Sequence, residues 1–399
     1  MMRNFRFSTV FICATVLTLA GCKTDTKNAE ISEIEEAVSE VKMEYAPDSR
    51  VAVFEIETIE SGHSIVLNGR TNLPEALATF KEKLTNSNIS YTDSIEVLPA
   101  SDLNGKTQGI ITLSAANLRS NPKHSAELVT QGTLGMPVTI YKKQGSWYLI
   151  QTPDKYISWV DSGGIVALDS AAYDTWIQSD KLIYTQTFGS SYAEKDASGQ
   201  VVSDLVAGNI LKLVTQEDDF YKVEFPDGRV AFVSKTEAVP YNHWLASLSQ
   251  TEKSLVETSK TLMGLPYLWG GTSPKGVDCS GFTKTVFFLN GFIIPRDASQ
   301  QIHQGVLVDQ DKDFSKLQAG DLLFFGKKAT DTTKERIVHV GMWIGNNEFI
   351  HSAGSVHISS VDENAPNYDL YNINRYIRTK RLLNQDTNGI IDLKDTDLF

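Results

Sequence analysis

Cysteine is scarce in this chain: there are three in 399 residues, at positions 13, 22 and 279. So few thiols exclude a disulfide-stapled scaffold. Positive charge is also short, with 37 Lys and Arg against 49 Asp and Glu and a formal net charge of −12. That balance excludes nucleic acid as a partner and an anionic membrane surface as an electrostatic one. Long apolar runs are missing too. The stretch Thr9 to Ala20 is too short to span a bilayer comfortably. No short C-x-x-C or H-x-x-x-H pair marks a closed structural zinc site, so neither a metal nor an organic cofactor is expected. What remains, 41% hydrophobic and 22% charged residues, is globular composition with length for two to four domains.

The N-terminus predicts export. Arg3 and Arg6 precede the apolar stretch, which ends in Leu19-Ala20-Gly21-Cys22. That tetrapeptide resembles the lipobox of bacterial lipoproteins. The resemblance implies a signal peptide over 1–21 and lipid on Cys22, which would hold the protein on a membrane of the cell envelope without a transmembrane helix. Lys23 rather than Asp after that cysteine leans toward the outer membrane. Cys13 would leave with the signal peptide, so Cys279 is the one thiol left free. A lone thiol outside the cytoplasm is an oxidation liability, and its presence there points to chemical use.

Residues 22–48 are acidic and polar and predict a tether. Residues 49–105 predict a small α+β module, with a helix carrying Leu77, Phe80 and Leu84 on one face. Between about 109 and 240 the chain repeats itself at a constant offset of 73 residues. Trp147-Tyr148 matches Phe220-Tyr221, Pro153-Asp154 matches Pro226-Asp227, and Trp159-Val160 matches Phe232-Val233. Short alternating strands with Pro-Asp turns predict two small β-barrels, at 106–170 and, after a connector, within 171–244. A catalytic domain is expected over 245–385 and a polar tail over 386–399.

The chemistry concentrates in Gly276-Val-Asp-Cys-Ser-Gly-Phe282 and in two later histidines, His339 and His351. Ser280 to Leu289 reads as a helix, which puts Cys279 at its N-terminus, where the helix dipole is expected to lower the thiol pKa. Gly345-Asn346-Asn347 is turn chemistry between two strand-like segments. A hairpin there makes His339 and His351 near neighbours, one able to act as base and the other to orient it.

Residues 251 to about 383 resemble the NlpC/P60 family of peptidoglycan cysteine peptidases. The resemblance rests on Gly264-Leu-Pro-Tyr-Leu-Trp-Gly-Gly271, Val277-Asp-Cys-Ser-Gly-Phe282, Ile294-Pro-Arg-Asp297, Ala319-Gly-Asp-Leu-Leu-Phe-Phe325, His339-Val-Gly341 and Phe349-Ile-His351. Upstream, Asn117-Leu118-Arg119-Ser120 resembles bacterial SH3 domains. The implied fold class is α+β: a papain-like catalytic domain preceded by two SH3-like β-barrels and the N-terminal module. The implied function is hydrolysis of the γ-D-glutamyl–diamino acid amide in murein peptides with a free N-terminal L-Ala, by a monomer. The alternatives are an amidase or D,L-endopeptidase on intact peptidoglycan, or a non-enzymatic wall-binding lipoprotein. By resemblance, Cys279 is the nucleophile, His339 the base and His351 its orienter. Tyr267 serves the oxyanion or places the scissile carbonyl, and Asp278 and Ser280 touch substrate. Asp297, with Glu127 and Tyr156 from the first SH3-like domain, forms an amine-binding wall. At the repeat-equivalent positions, Gln200 and Arg229 replace Glu127 and Tyr156. Ala298 stands where relatives often carry Ser or Thr.

Overall fold

The computed structural model describes residues 21–62, 64–385 and 389–399, the side chains of residues 21–26 excepted. The expected signal peptide and the Cys22 side chain therefore lie outside the described residues. Contacts divide the chain into two units, up to Val97 and from Leu98 onward.

In the first unit, the stretch expected to be a tether is helix α1 (Gly21–Tyr45). Its acids Glu33, Glu35, Glu36 and Glu40 face solvent. Ile34, Ala37 and Val41, spaced three and four apart, are buried. They share a core with β1 (Phe54–Ser61), β2 (Ser64–Thr71) and α2 (Pro74–Asn86). Strand β2 pairs antiparallel with β1 and, through the α2 crossover, parallel with β3 (Thr92–Val97). Phe54 meets Phe80 edge-on at 6.1 Å, and both are buried. Each such ring adds roughly 2–3 kcal/mol of burial.

The second unit begins with a seven-stranded antiparallel sheet. Its strands are β4 (Gln108–Ile111), β5 (Ala115–Arg119), β6 (Leu128–Thr133), β7 (Pro137–Gln144), β8 (Trp147–Gln151), β9 (Ile157–Asp161) and β10 (Ile165–Leu168). The sheet order is β10-β4-β7-β8-β9-β5-β6. After α3 (Ser170–Ile177) a second set follows: β11 (Lys181–Tyr184), β12 (Phe188–Tyr192), β13 (Val201–Val206), β14 (Ile210–Glu217), β15 (Phe220–Glu224), β16 (Val230–Ser234) and β17 (Ala238–Pro240). Read from its β17 edge, the second sheet has the same order as the first, and every strand begins 73 residues after its counterpart. The repeat is thus a repeat of the entire sheet. Both sheets end in two edge strands, so the expected SH3-like barrels are open rather than closed. Each wraps its own apolar core, Ile111, Leu118, Ile140 and Ile150 in the first, Leu182, Leu211, Val223 and Val233 in the second.

Helices α4 (Tyr241–Ser247) and α5 (Glu252–Thr261) lead into the third part. Thr251 caps α5 in a capping box with Ser254. Strands β18 (Thr272–Ser273) and β19 (Gly276–Val277) precede α6 (Cys279–Phe288), followed by β20 (Phe292–Ile293) and α7 (Ala298–Gln301). A six-stranded antiparallel sheet completes it: β21 (Val306–Asp309), β22 (Leu322–Lys327), β23 (Arg336–Gly345), β24 (Glu348–Ala353), β25 (Ser355–Ser360) and β26 (Tyr376–Arg381), in the order β21-β26-β22-β23-β24-β25. Helix α6 contributes Phe282, Val286 and Phe287 to a core with Phe324, Val340, Met342 and Ile350 of the sheet. Phe325, Trp343 and Phe349 cover the opposite face. Every residue from Cys279 to Phe287 is buried, so α6 is a central helix, held from all sides.

The segment expected to be a polar tail also packs. Strand β27 (Ile391–Asp392) pairs with β20, and Leu393 is fully buried. Phe399 contacts Tyr241 and Phe288, at centroid distances of 5.8 and 6.1 Å. A few apolar residues in a polar sequence suffice when they fall at a seam between domains.

Candidate active site

The site is built around the start of α6. Asp278 takes extended backbone angles and caps the helix, its Oδ1 accepting from the Gly281 N–H at 2.7 Å. A Cβ on Gly281 would stand 1.9 Å from the Gly271 carbonyl oxygen. Only glycine lets the 264–271 loop lie against the helix start, so packing accounts for this residue. Cys279, the first helical residue, is 8% exposed and is the one free cysteine among the described residues. The backbone N–H groups of Ser280 and Val340 act on its sulfur in the direction that favours the thiolate. The thiol therefore sits beside the residue that follows His339.

The two histidines come together as the hairpin predicts. Asn346 and Asn347, at φ 54° and 61°, form the two-residue turn between β23 and β24. In the register Met342 pairs with Ile350, which sets Gly341 beside His351. A Cβ at Gly341 would press on Phe349 at 2.8 Å and on His351 at 3.2 Å. With glycine there, the His351 ring reaches diagonally across, and its Nδ1 lies 2.7 Å from His339 Nε2. On its other side, His351 Nε2 lies 3.0 Å from Ser359 Oγ and 3.9 Å from Asp369 Oδ2. Ser359 and Asp369 were not expected from the sequence. Both come from later segments, and a lone Ser or Asp carries no signal of its own. His357 lies across from His351 on β25, ring centroids 4.5 Å apart.

Burial governs the electrostatics. It pushes the Cys279 thiol up to about 11, and the Asp278 carboxylate adds to the effect. This reverses the lowering expected from the helix dipole. Loss of hydration and an adjacent carboxylate outweigh the partial charge of a helix end. Burial, followed by the neighbouring His351, holds His339 well below its ordinary 6.5. His351 falls to about 3, again first through burial and then through His357, with Asp369 opposing. At neutral pH the pair is a neutral thiol and a neutral imidazole.

Asp278 and Ser280, expected to touch substrate, both hold Arg296. This arginine is 1% exposed. Its Nη1 donates to Asp278 Oδ1 at 3.1 Å and to Ser280 Oγ at 3.0 Å, and its Nη2 donates to Asp278 Oδ2 at 2.5 Å. Gly270 N–H also donates to Asp278 Oδ2, at 3.0 Å. With Gly281, these contacts fill the carboxylate's acceptor positions. Burial works against the charge on Arg296, but Asp278 holds it firmly protonated. Arg296 stood in the Ile-Pro-Arg-Asp motif, and nothing in that motif distinguishes a buried from an exposed arginine. Tyr267 is half-buried, its hydroxyl pushed up to about 12 by burial and then by the nearby charge of Cys279.

The proposed wall divides into two contacts from the first seven-stranded sheet domain. Tyr156 OH donates to Asp297 Oδ2 at 3.3 Å, and Asp297 itself opens α7 as its N-cap. Glu127 Oε1 accepts from Trp269 Nε1 at 2.7 Å. Trp269 is 62% exposed, so it is a rim residue and not core. All members of the sequence-predicted site with described side chains thus lie in this part of the molecule.

Comparison with known proteins bears on this arrangement. The NlpC/P60 family model matches residues 264–375, and the bacterial SH3 domain model matches residues 114–166. A γ-D-glutamyl-L-lysine dipeptidyl-peptidase of Bacillus cereus is 31% identical over 272 residues, covering 64% of this chain and 76% of that protein. Dipeptidyl-peptidase 6 of Lysinibacillus sphaericus is 29% identical over 269 residues, covering 65% and 93%. The crystal structure of an NlpC/P60 family protein from Bacillus cereus superposes with a TM-score of 0.56 at 28% identity, covering 69% of this chain and 99% of that one.

Proposed function

The chain belongs to the NlpC/P60 family of cell-wall cysteine peptidases, and from that premise we propose that it hydrolyses the amide between γ-D-glutamate and the following diamino acid in murein peptides that expose a free N-terminal L-alanine. The observation that carries the substrate class is the Tyr156–Asp297 contact at 3.3 Å. It brings a side chain of the first SH3-like domain onto a carboxylate next to Arg296, whose other partner caps the nucleophile helix. A carboxylate held between Tyr156 and Arg296 suits an ammonium group. Relatives named as γ-D-glutamyl-L-lysine dipeptidyl-peptidases support the same class.

The reaction follows from the tautomers. His339 Nε2 is engaged by His351, which leaves Nδ1 for the thiol. For Nδ1 to accept a proton, Nε2 must carry one and donate it to His351 Nδ1. His351 then carries its proton on Nε2, toward Ser359. Because thiol and imidazole rest neutral, the Cys279 proton passes to His339 as sulfur attacks the carbonyl carbon. The Tyr267 hydroxyl, protonated up to about 12, donates to the developing oxyanion. The C–N bond breaks, and His339 returns its proton to the departing amine. Water then attacks the thioester, giving its proton to His339, and the carboxylate product leaves with the thiol restored.

Export through residues 1–21 and lipid on Cys22 at the envelope complete the proposal, tested by loss of fatty-acid labelling in Cys22→Ala. The catalytic part is tested by incubating L-Ala-γ-D-Glu-L-Lys and its diaminopimelate counterpart with the protein. Mass spectrometry should find L-Ala-γ-D-Glu released by the wild type and not by Cys279→Ala. Release by the Cys279→Ala variant would end the mechanism.

A further inference from the structure

One charged pair at the domain seam is left unused by this mechanism. Lys284 lies on α6, on the same buried helix as Cys279, and its Nζ meets Asp154 Oδ2 of the first SH3-like domain at 2.5 Å. Their side chains are 11% and 4% exposed. Ion pairs this buried are costly to assemble and rarely improve stability over apolar packing. Their use lies in fixing a geometry, and here the geometry is local. Asp154 and Tyr156 belong to one tight turn. Thr152 N–H donates to the Tyr156 carbonyl at 3.0 Å, Lys155 N–H to the Thr152 carbonyl at 2.8 Å, and Thr152 Oγ1 to Asp154 Oδ1 at 2.7 Å. Lys155 closes the turn at φ 65°. One turn therefore makes two contacts with the catalytic domain, Asp154 on α6 and Tyr156 on Asp297.

The repeat supplies a control within the same molecule. The counterpart of Asp154 in the second sheet domain is Asp227, which pairs with Arg229 two residues on, at 2.8 Å, with side chains 35% and 38% exposed. The same position in the same fold is spent locally there and reaches no catalytic helix.

Resting on the substrate class proposed above, we infer that Asp154 and Lys284 are positioning residues that pin the 152–156 turn to the nucleophile helix and so hold the Tyr156 wall at the distance that selects the substrate's amine end. Neither residue touches the reacting atoms. Their loss should loosen substrate recognition and spare the nucleophile.

The test uses the full-length protein with L-Ala-γ-D-Glu-L-Lys as probe. Asp154→Asn and Lys284→Met should each raise KM about tenfold with kcat within about threefold of wild type. The rate at which iodoacetamide alkylates Cys279 should not change, and Asp154→Glu should recover most of the KM. Asp227→Asn should behave as wild type. A single variant that does not fold is replaced by the double variant Asp154→Leu/Lys284→Met, in which apolar packing substitutes for the pair. It should be folded and show the same KM defect. Hydrogen exchange gives a readout without turnover: the Thr152 and Lys155 amides should exchange faster in Asp154→Asn. Folded variants with unchanged KM and unchanged exchange would overturn the inference. So would a fall in kcat accompanied by slower alkylation, because that places the pair's effect on the nucleophile. A wild type that cleaves no murein peptide would sink the substrate proposal, and exchange alone would then decide the clamp.

Discussion

Cys279 and His339 both sit where water cannot reach freely, at 8% and 6% exposure, and both therefore favour their neutral forms. The pH dependence of cleavage follows. His339 is held well below 6.5, so it stays a competent base as the medium is acidified past the ordinary histidine value. The acid limb of kcat/KM should fall below pH 6.5, while alkylation of Cys279 should keep rising toward pH 11 instead of levelling off near neutrality. Stopped-flow alkylation and a kcat/KM profile check both, and an acid limb at or above 6.5 would contradict the neutral pair. The meeting of His339 with His351, and Cys279 at a helix start, were legible in the sequence because Cys, His and turn residues carry distinct chemistry. The direction of the thiol shift was not, because position on a helix is local whereas burial is set by residues far along the chain. Arg296 shows the same limit: its motif was visible, but its commitment to Asp278 and Ser280 depends on the folded loop.

At the scale of elements, α6 is the part on which the site depends. It carries Cys279, packs on the sheet through Phe282 and Val286, and is enclosed over its length. Gly281 is where it tolerates least. Gly281→Ala would drive a methyl onto the Gly271 carbonyl and should cost about 1–3 kcal/mol, as overpacking of rigid backbone does. Chemical denaturation measures this, and a midpoint equal to wild type would show that the 264–271 loop yields. Helix α1 and strand β27 illustrate what composition hides. Ile31, Ile34, Val38 and Val41 were in the sequence at helical spacing, but the surrounding acids dominated its character. In β27 two residues pair with β20, and no periodicity is readable over so short a segment.

For the second unit as a whole, three domains share one set of contacts around α6, and the repeat is conserved strand by strand while its chemistry is not. Acid should disturb this unit through its buried histidines. Folded His351 titrates at about 3 against an ordinary 6.5. Between those values the unfolded chain binds a proton that the folded one refuses. Stability is fully present above pH 6.5 and declines as pH falls toward 3, by up to about 1.4 kcal/mol per pH unit for each such histidine. Thermal melts between pH 7 and 4 should show that slope, reduced in His351→Asn.

The central claim is that the first SH3-like domain closes the site around a free amine. It is tested most directly by kcat/KM for L-Ala-γ-D-Glu-L-Lys against the same peptide acetylated at its N-terminus, measured on the wild type and on Tyr156→Ala. The account predicts that the wild type prefers the free amine by about a hundredfold or more, as removal of a charged contact in a closed site does, and that Tyr156→Ala narrows the ratio. Equal cleavage of both peptides by the wild type would contradict it.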